Sequence, residues 1–158
     1  MKLFSVILIG LVFVFSTVLA SEQKPWGTAK SMDLTYEPHK VLYDLTTGDA
    51  KELINILDRV GYLYKLHGSD PFDSSIVVII HGDAIPFFAI DKYKKFKTLM
   101  ARAQSLSVGT TIEFRMCRAA AKLMNYEAKD IHGFVTMVPM ADAEIVRLQS
   151  ELGYAYMH

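Results

Sequence analysis

Residues 109–125 read G-T-T-I-E-F-R-M-C-R-A-A-A-K-L-M-N and predict a strand that runs directly into a helix. Between residues 111 and 116, polar and apolar side chains alternate, which is the period of a strand with two different faces. Residues 118–124 are mostly Ala, Lys, Leu and Met, which favour a helix. Cys117, the single cysteine of the sequence, therefore lies at the carboxyl end of a strand and at the start of a helix.

This position of Cys117 predicts a reactive thiol. In open α/β sheets, ligands bind in a crevice outside the carboxyl ends of the strands. A thiol there lies near the positive end of a helix dipole and near free backbone N–H groups, which favour the reactive thiolate. Arg115 and Arg118 flank Cys117 in the sequence and would favour the same form. The alternative interpretation is a core cysteine that packs as a small hydrophobe.

Strand and helix patterns alternate along the rest of the chain. The predicted strands are 39–45, 76–80, 111–116, 133–138 and 154–157, and the predicted helices are 50–66, 92–106, 118–124 and 143–152. Either Thr47 or Asp49 is expected to cap the first helix, Asp142 is expected to cap the last, and Gly153 is expected to end it. Alternation with helix-length crossovers predicts an α/β fold: a mainly parallel five-stranded sheet with helices on both faces, a three-layer architecture.

The unbroken apolar strand 76–80 is typical of a strand buried on both faces of a parallel sheet. It ends in His81-Gly82-Asp83, which places a histidine at a second carboxyl strand end. A single histidine in such a position is more often a hydrogen-bonded structural residue than a base. The segment that follows, Ala84 to Ala89, contains Pro86 and two phenylalanines and predicts an apolar lid or a subunit contact.

Several classes of function receive no support from the sequence. It contains no G-x-G-x-x-G, P-loop, C-x-x-C, H-E-x-x-H or G-x-S-x-G motif, so we predict no cofactor and no metal. Its 17 Lys and Arg balance 17 Asp and Glu, so no basic excess indicates nucleic-acid binding.

The first 20 of the 158 residues resemble a secretory signal peptide. Lys2 precedes an apolar segment, and Val18 and Ala20 occupy positions −3 and −1 of a cut after Ala20. This predicts a periplasmic or secreted protein without stable membrane insertion; the alternative is an uncleaved anchor. Residues 21–38 predict an extended lead-in, in which Trp26 either docks onto the domain or a neighbouring subunit or is a locally packed aromatic. Residues 39–158 predict one domain. A lone cysteine in an exported protein cannot form an internal disulfide, so it pairs with another chain, stays free or is modified.

Three stretches of this chain resemble the DsrE/DsrF-like family, in particular its exported single-domain members. They are residues 76–83, which end in H-G-D, residues 117–131, C-R-A-A-A-K-L-M-N-Y-E-A-K-D-I, and residues 138–157, V-P-M-A-D-A-E-I-V-R-L-Q-S-E-L-G-Y-A-Y-M. Their order and spacing extend the resemblance over about residues 39–157.

The resemblance implies a YchN-like α/β fold and a homo-oligomer, either a trimer or a hexamer. It also implies sulfur trafficking, in which a cysteine that matches Cys117 accepts sulfane sulfur as a persulfide and passes it to a partner protein. His81 matches a histidine that is common at that strand end in the family.

Three functions are therefore considered. In the first, Cys117 is a sulfur carrier, with His81, Arg115 and Arg118 in support. In the second, the protein is a non-catalytic oligomeric module that binds a ligand or a protein, assembled through apolar surface such as Ile85 to Phe88, and Cys117 is structural. In the third, Cys117 and His81 form a redox or metal sensor.

Overall fold

The computed structural model describes residues 27–69 and 74–158. The predicted signal peptide, its cleavage after Ala20 and the docking of Trp26 lie outside the described residues. The chain divides into two units, residues 1–33 and residues 34–158. In the first unit, residues 27–33 are exposed and form neither helix nor strand. Within the described part of the chain, no helix is both long enough and apolar enough to span a membrane.

The described part of the second unit contains five strands and four α-helices in alternation. The strands are β1 (Lys40–Leu45), β2 (Ser75–Ile80), β3 (Ile112–Cys117), β4 (Val135–Val138) and β5 (Ala155–Met157). The helices are α1 (Ala50–Leu66), α2 (Tyr93–Ser107), α3 (Arg118–Leu123) and α4 (Ala141–Leu152). The strand order is β4-β3-β2-β1-β5 and each pairing is parallel, which confirms the predicted α/β three-layer fold.

The connectivity determines which face of the sheet each helix covers. From β1 to β4 the chain steps across the sheet in one direction, so right-handed crossovers place α1, α2 and α3 on the same face. The chain then returns from β4 to β5 at the opposite edge, and α4 covers the other face. The packing agrees, because buried residues of the first three helices share one core cluster while those of α4 share another.

The predicted alternation along β3 is confirmed. Ile112, Phe114 and Met116 are buried in the core beneath α1 and α2. Glu113 and Arg115 lie on the opposite face and form ion pairs there. The period of two therefore gave the correct orientation of every side chain in this strand.

Helix α1 begins and α4 ends as predicted. Asp49 caps α1, since its Oδ1 accepts a hydrogen bond from the backbone N–H of Lys51 at 2.8 Å. Gly153 ends α4 in the left-handed conformation, with φ of 73°. The predicted cap at Asp142 is wrong, because α4 begins at Ala141 and Met140 is its N-cap. Asp142 instead lies in the first turn, where a negative charge is favourable to the helix dipole.

The prediction of an apolar lid or subunit contact at residues 84–89 is also wrong. Residues 82–88 form a 3₁₀-helical segment whose Ile85, Phe87 and Phe88 side chains are buried. The Phe88 ring packs against those of Phe114 and Phe134, with centroid distances of 6.0 and 6.3 Å. This segment is part of the domain core, so it provides no apolar surface for assembly.

Candidate functional site

Cys117 is the last residue of β3 and the N-cap of α3. Its Sγ accepts a hydrogen bond from the backbone N–H of Ala120 at 3.4 Å. The residue is 5% exposed and packs beside Leu42, Ala141 and Leu148 in the core beneath α4. The structure therefore combines the predicted contact with a helix N–H group and the burial that characterises a core cysteine.

The position of Cys117 in the topology is more informative than its exposure. Helix α3 follows β3 on one face of the sheet, whereas α4 follows the neighbouring β4 on the other. Such a switch point opens a crevice at the carboxyl ends of the two strands, and this is where α/β proteins bind their ligands. Cys117 pairs with Val138, the last residue of β4, so it lies at this point.

A backbone hydrogen bond connects the two segments that leave the switch point. The N–H of Ala119 donates to the carbonyl oxygen of Pro139 at 3.3 Å. Pro139 and Met140, which join β4 to α4, are both exposed. The segment that joins β4 to α4, beside Cys117, is therefore short and faces solvent.

Arg115 forms ion pairs with two carboxylates. Its Nη2 lies 2.8 Å from Oε2 of Glu113, and its Nη1 lies 2.5 Å from Oε1 of Glu144 on α4. Arg147 also donates to Glu144, at 2.9 and 2.8 Å. The hydrogen bonds from Arg147 and then from Arg115 outweigh burial and hold the pKa of Glu144 below its usual value. Arg115 thus joins α4 to β3, and its charge is already balanced by carboxylates.

Arg118 is exposed on the first turn of α3, and within the described residues it forms no ion pair. Its guanidinium is therefore available to an anion from solution. Of the two predicted flanking cations, the structure places Arg115 in an internal network and Arg118 at the surface.

His81 forms part of a chain of three side chains at the carboxyl edge of the sheet. Its Nε2 lies 2.7 Å from Oδ1 of Asp44, near the end of β1. The second carboxylate oxygen, Oδ2, accepts a hydrogen bond from the hydroxyl of Tyr156 on β5 at 2.5 Å. This bond, together with burial and the charge of Asp44, raises the pKa of Tyr156 to about 12.

The two predicted strand ends lie side by side. Ile80 of β2 pairs with Met116 of β3, so His81 and Cys117 occupy the next position on neighbouring strands. The preceding residues, Ile80 and Met116, are buried on the face that the first three helices cover. Because side chains alternate along a strand, His81 and Cys117 lie on the other face, which α4 covers. The backbone N–H of His81 still bonds to the carbonyl oxygen of Leu45 at 3.1 Å, so the parallel ladder extends to this residue.

Asp44 and Tyr156 are not among the site residues predicted from the sequence. One signal was present: Asp44 is the single charged residue in the apolar run Val41 to Leu45, one residue before that strand ends. Tyr156 carried no comparable signal, because its contact with Asp44 joins residues 112 positions apart.

Cys117 lines neither of two cavities on the domain, although Asp44 borders one of them. A polar one of about 300 Å³ is lined by Asp44, Thr46, Thr47, Glu52, Asn55, Ile56, Arg59 and His158. A larger one of about 630 Å³ lies between α1 and α2. Within the described ranges, no three His, Cys, Asp or Glu residues are grouped so that they could hold a metal ion.

Comparison with known proteins shows the fold and no more. No protein-family model matches the chain, and no curated protein matches it. The structure is similar to that of the protein of unknown function MTH1491 from Methanobacterium thermoautotrophicum, with a TM-score of 0.62 and 20% sequence identity. The similarity covers 75% of this chain and 97% of that chain.

Proposed function

We propose that this protein is an exported sulfur carrier, similar to the DsrE/DsrF-like family, in which Cys117 holds sulfane sulfur as a persulfide. The observation that supports the proposal best is the position of Cys117 at the switch point between β3 and β4. A nucleophile at this point lies where α/β sheets bind their ligands. The same residue matches the sulfur-accepting cysteine in the resemblance described above.

The proposed chemistry is an exchange of sulfur between thiols. The Cys117 thiolate attacks the terminal sulfur of a donor persulfide, R–S–SH, and the S–S bond of the donor breaks. The products are Cys117–S–SH and the donor thiolate, R–S⁻. An acceptor thiolate, R′–S⁻, then attacks the same terminal sulfur, which gives R′–S–SH and regenerates the Cys117 thiolate. Each step follows the rules of thiol–disulfide exchange and needs no external oxidant or reductant.

The N-cap geometry supports this role. The Ala120 N–H points to Sγ at 3.4 Å and donates to it. A thiolate accepts such a hydrogen bond more strongly than a neutral thiol does, because hydrogen bonds to a charged acceptor are roughly twice as strong. The bond therefore stabilises Cys117 both as the attacking group and as the leaving group.

Sulfur transfer also requires access to a side chain that is 5% exposed. The segment that must move is short, since the exposed residues Pro139 and Met140 connect β4 to α4. One backbone hydrogen bond, between Ala119 and Pro139, joins it to α3. We expect local opening of this segment to expose Sγ without unfolding the domain.

Sulfur loading tests the proposal directly. The mature protein is incubated with inorganic polysulfide, and its intact mass is compared with that of Cys117→Ser. The serine hydroxyl can accept the Ala120 N–H, so this variant should keep the cap of α3 and remain folded. We expect the wild type to gain about one sulfur that a reductant removes, and the variant to gain none. Loading that persists in the variant would refute the proposal.

A second candidate function is a non-catalytic, oligomeric module that binds a ligand or a protein. Two observations support it: Cys117 is buried, with 5% exposure, and Arg115 is already paired with two carboxylates. In this case Cys117 is a packing and capping residue. A thiol that reacts with iodoacetamide after denaturation but not in the native protein would favour this function over the sulfur carrier.

A further inference from the structure

We propose that Asp44 is a positioning residue that holds His81 as the proton acceptor for Cys117, an inference that rests on the proposed function. Its basis is the hydrogen-bonded chain Tyr156–Asp44–His81 and the place of His81 beside Cys117 in the sheet. None of the three residues is needed to explain how the sheet itself is held together, since the backbone ladder already pairs β1 with β2 and β5.

The carboxylate of Asp44 uses both of its oxygens. Oδ2 accepts the hydroxyl hydrogen of Tyr156 at 2.5 Å, which fixes the rotation of the carboxylate. Oδ1 then lies 2.7 Å from Nε2 of His81. The Asp44 side chain is 15% exposed and that of His81 is 24% exposed, so water competes only partly for these bonds.

The contact with Asp44 determines which tautomer of His81 is favoured. An ionised carboxylate accepts hydrogen bonds and donates none, so Nε2 must carry its hydrogen. The lone pair of the neutral ring is then on Nδ1. This atom has no hydrogen-bond partner among the described residues, and it is not enclosed by protein. Nδ1 is therefore the atom of His81 that is free to accept a proton.

His81 and Cys117 are next to each other across the sheet. Their preceding residues, Ile80 and Met116, are register partners, and neighbouring strands lie about 4.8 Å apart. The charged residues next to them are Asp44, which contacts His81, Asp83, which is exposed two residues after His81, Arg118, which is exposed next to Cys117, and Arg115, which is occupied by carboxylates. His81 is thus the imidazole nearest to Cys117 in the strand register.

The proton follows a closed cycle. Nδ1 of His81 takes the thiol proton of Cys117, directly or through a water molecule, which produces the thiolate and an imidazolium beside Asp44. After the thiolate takes the sulfane sulfur of the donor, the imidazolium gives the proton to the departing R–S⁻, which leaves as R–SH. His81 returns to its neutral form, and no proton is gained or lost by the protein.

Reaction rates in matched variants test this inference. The mature wild type is compared with Asp44→Asn, His81→Gln, the double variant and Asp83→Asn. The last is the control, because it removes the same charge two residues from His81 at an exposed position without a contact to the ring. Two rates are measured across a range of pH: alkylation by iodoacetamide, which reports the thiolate alone, and loading by inorganic polysulfide. Thermal melting verifies that each variant is folded.

We expect Asp44→Asn and His81→Gln to slow both reactions by about tenfold or more at neutral pH, since general base catalysis contributes at least this much. The acidic limb of the pH–rate profile should differ from that of the wild type in both variants, and in His81→Gln only the ionisation of the Cys117 thiol itself should shape it. The double variant should be no slower than His81→Gln, because both changes remove one function. Asp83→Asn should behave as the wild type.

Other results would overturn the inference. Wild-type rates and an unchanged pH profile in Asp44→Asn would do so, as would additive effects in the double variant. If Asp44→Asn does not fold, His81→Gln with wild-type rates would have the same meaning. A wild-type protein that is alkylated with the predicted pattern but takes up no sulfur would refute the sulfur carrier and leave the Asp44–His81 pair standing.

Discussion

The side chain of Asp44 links neighbouring strands at the carboxyl edge of the sheet. It connects β1 to β5 through Tyr156 and to β2 through His81, so one carboxylate joins three strands at the edge where Cys117 lies. A carboxylate in this position fixes a tautomer and a ring orientation that the sequence alone leaves open.

The titration of Tyr156 tests this geometry without reference to sulfur. Its hydrogen bond to Asp44 is the largest cause of a pKa of about 12, against 10.0 for an unperturbed tyrosine. In Asp44→Asn we expect the pKa of Tyr156 to move back towards 10. Alkaline difference spectra of the wild type and the variant should then differ by one tyrosine that ionises earlier. Identical spectra would mean that the two side chains do not interact.

The same shift has a consequence for stability. The folded pKa of Tyr156 is raised, so its contribution is fully present below about pH 10 and is lost as the pH rises through about 12. We therefore expect Asp44→Asn to lose less stability than the wild type does as the pH rises through this alkaline range.

At the scale of elements, α4 is attached to β3 by charge as well as by apolar packing. Glu144 of α4 is nearly buried, and it accepts hydrogen bonds from Arg115 of β3 and from Arg147. A buried carboxylate is tolerated when it is paired and hydrogen-bonded in this way. The network therefore fixes the position of the helix whose first residue, Ala141, packs in the same core cluster as Cys117.

The network makes a prediction about acid stability. The folded pKa of Glu144 is lowered from 4.5, so its contribution is complete above about pH 4.5 and is lost as the pH falls through the lower folded value. We expect Glu144→Gln to be less stable than the wild type at neutral pH, and to lose less stability between pH 5 and pH 3 (both roughly). Urea unfolding at several pH values measures this. If the free energy of unfolding fell by the same amount with pH in the two proteins, the prediction would be wrong.

The segment between β4 and α4 controls access to Cys117 in this account. Replacing Pro139 by Gly increases the freedom of this segment, which makes opening easier by up to about 1 kcal/mol. Alkylation of native Cys117 should then be up to about fivefold faster. Pro38→Gly, which changes the same residue type before β1, is the control and should have no effect. An unchanged rate in Pro139→Gly would mean that Sγ is reached by another route.

At the scale of the whole molecule, the order of the strands places α4 on one face of the sheet and the other helices on the opposite face. Side chains that are apolar and exposed include Leu123 at 88% and Val146 at 60%. A homo-oligomer would cover part of this surface. We predict that the mature protein sediments as a trimer or a hexamer, and a monomer at micromolar concentration would refute this.

The fold could be predicted from the sequence because each element follows a local rule. The apolar run 76–80 indicated a buried strand, the alternation along β3 gave its two faces, and Asp49 gave the start of α1. Such patterns depend only on the period of the side chains and on cap chemistry. Helix-length crossovers between the strands then indicated a parallel sheet, whereas the place of β5 beside β1 was not predicted, because the connection from β4 crosses the whole sheet.

The errors and omissions have a common physical origin. Residues 85–88 are apolar, and their composition does not reveal whether a short 3₁₀ segment faces the core or solvent. Asp142 has the chemistry of a cap, but α4 begins one residue before it, at Ala141, so Asp142 lies inside the first turn. The pairing of Asp44 with His81 and Tyr156 depends on strand register, which no local pattern encodes.

In the proposed function, Cys117 both accepts sulfur and releases it. The most direct measurement loads the mature protein with inorganic polysulfide, removes the excess, adds glutathione and follows both partners by intact mass. We predict that the protein gains about one sulfur and then loses it while glutathione persulfide forms in equal amount. Failure of the wild type to gain sulfur, or sulfur that remains on the protein in the presence of glutathione, would contradict the claim.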